Sequence, residues 1–123
     1  MASVFPLANY FTKSLALANT VKTTVYTCGD QGELGFDVTG LSAVASDGTA
    51  DRVTFIRLQA SDTTEYVLVF NGAVETDFPL QLEGLPIHLV PGDAIKATSN
   101  GASGSHPTHV HISGQKTTRS PKT

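Results

Sequence analysis

The sequence lacks tryptophan and contains a single methionine and a single cysteine, Cys28. One thiol cannot form an intrachain disulfide, and it cannot supply a four-cysteine metal site. A lone cysteine most often serves as a small apolar side chain, so we expect Cys28 to be buried or half-buried. The cysteine content therefore gives no indication of an oxidising compartment.

Charged residues are also scarce, at 15% of the 123 residues, whereas hydrophobic residues make up 40%. This composition is too apolar for a disordered chain and too poorly charged for a long solvated helix. The formal net charge of −3 predicts no general attraction to nucleic acid or to anionic lipid. We expect one domain, with neither a nucleic-acid nor a membrane partner.

Long apolar runs are absent as well, because no stretch approaches the roughly 20 residues that a membrane-spanning helix needs. A secretory signal is not predicted either, since the first basic residue is Lys13 and Pro6, Asn9 and Tyr10 interrupt the apolar residues before it. No nucleophile-elbow, phosphate-loop or dinucleotide-binding motif occurs. We expect a soluble protein that is not an enzyme and that has no cofactor.

The sequence after residue 20 is dominated by apolar residues that alternate with polar ones, interrupted by Gly, Asp, Asn and Pro. A period of two is typical of β-strands. The predicted strands are Thr20–Cys28, Glu33–Ser46, Arg52–Ala60, Glu65–Phe70, Phe78–Leu82, Ile87–Val90, Asp93–Ser99 and Thr108–Ser113. The pattern predicts an all-β fold, an antiparallel β-sandwich of jelly-roll type with about eight short strands.

Two glycines predict specific backbone features. The apolar positions change phase at Gly40, which predicts a β-bulge there. The dipeptide Asn71-Gly72 is the strongest two-residue hairpin signal, so we expect a tight turn at that point.

Three segments are predicted along the chain. Residues 1–19 are an N-terminal arm, either extended against a neighbouring subunit or forming one or two helical turns. Residues 20–114 are the sandwich, and residues 115–123 are a flexible basic tail that contains no acidic residue. The candidate partner-binding residues are the apolar and aromatic side chains of the arm: Val4, Phe5, Leu7, Tyr10, Phe11, Leu15 and Leu17.

The candidate metal ligands are His106, His109 and His111, near the C-terminal end of the sequence. On a strand, His109 and His111 point to the same side, and imidazoles bind zinc, iron, copper or nickel. A complete site within one chain is not expected, because Gln115 stands where a metal-binding cupin has glutamate and no histidine follows His111. A site shared by three subunits and plain surface or interface histidines remain the alternatives.

The carboxylates predict little chemistry. Glu75 and Asp77 would share a face of a strand, but acid–base chemistry needs burial to separate their pKa values. Because they flank a turn, we expect them to be solvated. Asp47 and Asp51 bracket another turn, where aspartate commonly binds its own backbone.

Several segments resemble a family of small virion proteins of tailed bacteriophages. The matching segments, which span about residues 20–113, are Val25–Gly29, Leu41–Arg52, Tyr66–Phe70 with Pro79–Leu82, and Leu89–Ala97. The resemblance implies a capsid decoration or cement protein that stabilises the head by binding the major capsid protein lattice. It also implies a homo-oligomer, usually a trimer, that is located in the virion after assembly in the host cytoplasm.

Two other roles stay open. A neck, collar or tail accessory protein fits the same resemblance. A tail-tip module that binds a host-surface glycan fits a small β-sandwich, but such sites usually display exposed aromatic rings, and this chain has no Trp and only three Tyr.

Overall fold

The computed structural model describes residues 6–29 and 32–119. Within these ranges it contains eight β-strands and no α-helix. The strands are β1 Pro6–Leu17, β2 Thr23–Thr27, β3 Glu33–Ala45, β4 Asp51–Gln59, β5 Thr64–Val74, β6 Leu80–Leu89, β7 Ala94–Ser99 and β8 Thr108–Arg119.

The strands form two four-stranded antiparallel sheets, ordered β1-β8-β3-β6 and β2-β7-β4-β5. The first strand pairs with the last, the second with the seventh, the third with the sixth and the fourth with the fifth. The chain is thus a long hairpin rolled into two facing sheets, which is the jelly-roll arrangement. The predicted all-β sandwich of about eight strands is confirmed.

The hydrophobic core lies between the two sheets. In β8, for example, Val110 and Ile112 are fully buried, while His111 between them is only partly buried. Burying each large apolar side chain stabilises the fold by about 2 kcal/mol. The largest fully buried side chains are Phe36, Phe55, Leu41, Leu89, Ile95 and Ile112.

The N-terminal segment differs from the predicted arm. Residues 6–17 form β1, which pairs with β8 over its whole length, from Pro6 opposite Arg119 to Leu17 opposite Thr108. These residues are therefore neither a helix nor a separate arm, but an edge strand of the sandwich. Val4 and Phe5 lie outside the described residues.

The predicted basic tail also differs, because residues 115–119 continue β8 and pair with β1, and residues 115–118 pair with β3 as well. β1 and β8 stabilise each other, although about ninety residues of sequence separate them. Local periodicity cannot reveal such a pairing, since neither segment has an obvious partner nearby. Residues 120–123 lie outside the described part of the chain.

The bulge predicted at Gly40 is confirmed. The register of β3 shifts between Val38 and Gly40 against both of its neighbours, β6 and β8. The shift keeps the apolar residues on both sides of it directed into the core, with Val38 and Leu41 each 2% exposed.

The turn predicted at Asn71-Gly72 is wrong, because these residues lie inside β5. Asn71 has a φ of 49°, and the ladder between β4 and β5 shifts register at this point. The backbone N–H of Asn71 instead donates to Thr54 Oγ1 at 3.0 Å. Asparagine tolerates the left-handed conformation, so the dipeptide that suits a hairpin turn also suits a β-bulge.

The two short strands predicted at 78–82 and 87–90 are one strand, β6. Its pairing with β3 passes from Ile87 opposite Val38 to Glu83 opposite Gly40. Gly84, with a φ of 66°, lies in the interval between these pairs. The glycine signal therefore marks an irregularity within a strand rather than a break between two.

Candidate functional site

The β8 histidine pair, His109 and His111, lies on the outer face of the β1-β8-β3-β6 sheet. The two residues are opposite Ala16 and Ser14 of β1. His111 Nδ1 is 2.6 Å from Ser14 Oγ, and both rings line a shallow depression of about 170 Å³. The prediction that the pair shares one face is confirmed by its register, whereas metal binding stays a prediction.

His106 does not join the β8 histidine pair. Its Nδ1 forms a hydrogen bond with Asp47 Oδ2 and lies 3.3 Å from Thr49 Oγ1. The hydrogen bond with His106, followed by the one from the backbone N–H of Thr49, lowers the pKa of Asp47 to about 2. Within one chain, Asp47 therefore holds this imidazole on another loop, and a part for His106 in a site shared between subunits stays a prediction. Residues 6–29 and 32–119 contain no group of three or more His, Cys, Asp or Glu suited to a metal ion.

Cys28 is buried, as expected, with 3% of its surface exposed. Its Sγ lies 3.5 Å from the carbonyl oxygen of Leu89. Burial, followed by the negative charge of Glu33, raises the pKa of the Cys28 thiol to about 12. The residue is therefore a protonated core side chain rather than a nucleophile.

We expect Cys28 to resist thiol reagents in the folded protein, because the thiolate is the reactive species. At about pH 8, the native protein should show no colour change with a disulfide reagent during the time in which the denatured chain reacts fully. Absorbance measured with and without guanidinium tests this. Labelling of the native protein as fast as that of the denatured chain would contradict it.

The buried carboxylate Asp93 serves the fold. Its side chain accepts hydrogen bonds from the backbone N–H groups of Ala60 and Val90, at 3.0 and 3.1 Å, and pairs with Arg57. Burial acts to raise the pKa of Asp93, but these hydrogen bonds outweigh it and hold the pKa below its usual value. The carboxylate connects the turn before β7 to the end of β4, and its oxygens bind these protein groups.

Three large side chains of β5 are exposed, and we term this stretch of the strand the β5 patch: Tyr66, Val67 and Phe70. Their exposed fractions are 47%, 57% and 73%. Tyr66 and Val67 are consecutive in the ladder with β4, so they point to opposite faces of the sheet. Among the described strands, β5 lies at the edge of its sheet, so no further strand of that sheet covers these side chains. Two register shifts interrupt its pairing with β4, and bulges of this kind disfavour strand-to-strand association. The patch therefore suits contact through side chains.

A second feature, which we term the β1–β2 groove, opens on the other side of the sandwich. It has a volume of about 840 Å³. It is lined by Phe11, Lys13, Thr24, Tyr26, Thr27, Cys28, Gly29, Pro91, Gly92 and Lys116. The rings of Phe11 and Tyr26 are 5.5 Å apart, and the Lys116 ammonium lies 4.2 Å from the Phe11 ring centroid. The groove combines an aromatic wall with two cationic side chains.

The predicted partner-binding residues are divided by the alternation of β1. Leu17 is 2% exposed and belongs to the core of its own chain, and Phe11 and Leu15 are partly buried against that core. Tyr10 points outward and is 88% exposed, so its role in binding stays a prediction. Leu7 lies in β1, but its side chain is not among those described.

Sequence reasoning identified neither the β5 patch nor the β1–β2 groove. The sequence predicts a strand over Glu65–Phe70, and the continuous apolar character of this run is the one local signal of an unusual surface. Only the strand order reveals that this run lies at an edge. The groove joins residues from distant segments, and no local pattern marks it.

No family model and no curated protein matches this sequence. Several solved structures are similar to it. A protein of Bacillus endospore appendages, described as a novel family of disulfide-linked pili, matches with a TM-score of 0.53 at 11% identity, covering 94% of this chain and 90% of that one. At this identity the likeness shows the fold alone.

Weaker matches include a Yersinia pseudotuberculosis mitogen, with a TM-score of 0.45, 17% identity and coverage of 88% and 86% of the two chains. A protein of the cyanophage Pam1 capsid asymmetric unit matches with a TM-score of 0.43, 16% identity and coverage of 92% and 86%.

The part of the chain that the structure describes contains no helix long and apolar enough to span a membrane.

Proposed function

We propose that this chain is a non-enzymatic structural subunit of a bacteriophage virion that decorates the capsid by binding the major capsid protein lattice. The observation that carries this proposal is the β5 patch, where Tyr66, Val67 and Phe70 are each exposed along one edge strand. Grouped exposed apolar side chains are typical of protein contact surfaces. The resemblance of residues 20–113 to virion proteins of tailed phages supports placing this contact on a virion.

The state of two buried side chains, Cys28 and Asp93, also supports a non-enzymatic binding role. The Cys28 thiol is protonated, and Asp93 accepts hydrogen bonds that hold the fold together. The endospore appendage protein is described as forming disulfide-linked pili. We do not propose a link of that kind for this chain, since its one cysteine is buried.

Two alternative functions are supported by fewer observations than capsid decoration. A neck, collar or tail accessory protein would use the same β5 patch, at fewer positions on the particle. A glycan-binding module is less favoured, because the exposed rings of Tyr10 and Tyr66 belong to β1 and β5, at opposite edges of the sandwich. They cannot form one aromatic platform.

The proposed subunit forms a homo-oligomer at symmetric positions, with the trimer as the state that the resemblance implies. It assembles in the host cytoplasm before release of the virion. If three copies meet at a symmetry axis, the β8 histidine pair is placed on an outer face where copies could share a metal ion.

The copy number per particle tests the proposed function. Quantitative mass spectrometry of purified virions should find this chain in hundreds of copies, as expected of a protein that follows the capsid lattice. About a dozen copies or fewer would favour the neck or tail instead. Absence from purified virions would overturn the proposal.

A substitution in the β5 patch tests the proposed contact surface. Val67→Ser should lower occupancy on particles that lack the protein by about tenfold, because it removes apolar area from the contact. Val90→Ser is a matched control, since Val90 is 48% exposed and lies outside the patch. Occupancy is read by cosedimentation, after thermal unfolding shows that both variants fold. Equal occupancy of the two variants would contradict a role for the patch.

A further inference from the structure

The β1–β2 groove exists because two edge strands of unequal length lie side by side. β1 lies beside β2 at one edge of the sandwich, and β5 lies beside β6 at the other. β1 has twelve residues and β2 only five, so in the part of the chain that the structure describes much of β1 has no strand facing it across the sandwich. Phe11, although directed inward, is consequently only partly buried.

The groove is apolar and positively charged. Phe11 and Tyr26 form its aromatic part, and Lys13 and Lys116 supply two cationic groups. None of its described lining residues is acidic. The nearby carboxylate of Glu33 is 3% exposed and accepts a hydrogen bond from the Tyr26 hydroxyl at 2.5 Å. An occupant that suits this groove therefore presents an apolar ring together with carboxylates.

The chain itself carries such a group on the β5–β6 turn, residues 75–78. Glu75 and Asp77 are exposed, and Phe78 between β5 and β6 is 68% exposed. The backbone N–H of Glu75 donates to the carbonyl oxygen of Phe78 at 3.0 Å, and the reciprocal hydrogen bond is 3.3 Å. Because this turn is closed on itself, it presents its ring and carboxylates with little loss of conformational freedom on binding.

We propose that the β5–β6 turn of one copy binds in the β1–β2 groove of the next. The two surfaces are complementary in charge, and the aromatic ring of Phe78 would lie against the Phe11–Tyr26 wall. They occur at opposite edges of the sandwich, so one pair of copies cannot make both contacts at once. The contact is therefore head-to-tail, and it produces a ring if the rotation closes and an open chain if it does not.

This inference rests on the assembly part of the proposed function and names the partner as a second copy of the chain. The contact between turn and groove does not use the β5 patch, because Tyr66, Val67 and Phe70 precede the turn in sequence and lie along β5. The subunit would thus use one edge surface for the lattice and a separate pair of surfaces for its own neighbours.

Sedimentation velocity of the purified full chain tests the contact. We expect reversible self-association between about 10 µM and 1 mM, the range expected for a small contact surface. Lys13→Glu in the groove and Phe78→Ser on the turn should each weaken it by about tenfold or more. Val44→Ser is the matched control and should associate like the unmodified chain, since Val44 of β3 is 37% exposed and lies outside both surfaces.

Mixing the two variants distinguishes a head-to-tail contact from a symmetric one. The Lys13→Glu chain retains an intact turn, and the Phe78→Ser chain retains an intact groove. At a concentration at which the unmodified chain is substantially associated, each variant alone should be largely monomeric, whereas the mixture should form dimers and nothing larger. Circular dichroism and thermal unfolding confirm that both variants fold.

Three results would overturn the inference. They are a monomeric unmodified chain across the whole concentration range, association that survives both substitutions, and a mixture that stays monomeric. A chain that is monomeric in solution but present in hundreds of copies on virions would overturn this inference alone and support the proposed function. Self-association of a chain that is absent from virions would overturn the proposed function and support the head-to-tail contact.

Discussion

Replacing Gly114 by alanine is expected to lower the free energy of unfolding by about 3 kcal/mol or more. A Cβ at this position would lie 2.2 Å from the carbonyl oxygen of Asp37 and 2.8 Å from Cζ of Phe36. Gly114 is in the middle of β8, opposite the β3 bulge. The closest clash is with a backbone atom, so it cannot be relieved by the rotation of a side chain. The two central strands would have to separate locally.

Gly104→Ala is the matched control for this change. Gly104 lies in the loop before β8, and a Cβ there would meet no atom within 4 Å. Urea denaturation of both variants should show an unchanged midpoint for Gly104→Ala and a strongly lowered midpoint, or no folded protein, for Gly114→Ala. Similar midpoints for the two variants would mean that β8 and β3 are not packed as described.

Replacing Asp51 by alanine is expected to destabilise the protein by about 3 kcal/mol. The Asp51 carboxylate accepts four hydrogen bonds: from the hydroxyls of Ser99 and Thr108, and from the backbone N–H groups of Arg52 and Gly101. Ser99 and Thr108 are 1% and 2% exposed, so their hydroxyls would be left buried without this acceptor. One carboxylate thereby joins the ends of β4, β7 and β8.

The contribution of Asp51 should depend on pH. Burial acts to raise its pKa, but the hydrogen bonds from Ser99 and Thr108, with those from the backbone, hold the pKa below its usual value. A lowered folded-state pKa means that the stabilisation is complete above the unfolded value, about 4, and is lost as the pH falls through the folded value. The stability difference between the unmodified chain and Asp51→Ala should therefore shrink below about pH 4.

Asp77→Ala is a suitable control for Asp51→Ala, because Asp77 is exposed on the β5–β6 turn. Its free energy of unfolding should stay within about 0.5 kcal/mol of the unmodified value at neutral pH. A pH-independent difference between Asp51→Ala and the unmodified chain would show that the lost stability does not come from the ionised carboxylate.

Some tertiary features could be recognised in the sequence because they leave a local trace. The phase change at Gly40 marks a bulge, since a one-residue shift moves every later side chain to the opposite face. The alternation around His109 and His111 places both rings on one face for the same reason. Asn71-Gly72 shows the limit of such signals, because a bulge and a hairpin turn need the same left-handed backbone.

The interaction surfaces could not be recognised, because they depend on strand order. Glu65–Phe70 reads as a strand with apolar residues on both faces, which is typical of a buried strand. Its exposure follows from its position at a sheet edge, and that position is fixed by pairings with residues far away in sequence. The β1–β2 groove depends likewise on Phe11 meeting Tyr26 from the opposite sheet.

The sequence by itself determined the class of fold, most strand positions, the bulge at Gly40 and the buried state of Cys28. These features follow from side-chain alternation and from the conformational preferences of single residues, both of which are local. Only the tertiary structure decided that the predicted arm and tail pair with each other as β1 and β8, and that His106 binds Asp47 instead of joining the β8 histidine pair. Those outcomes depend on long-range backbone hydrogen bonds, which are nearly independent of side-chain identity and so leave no local pattern.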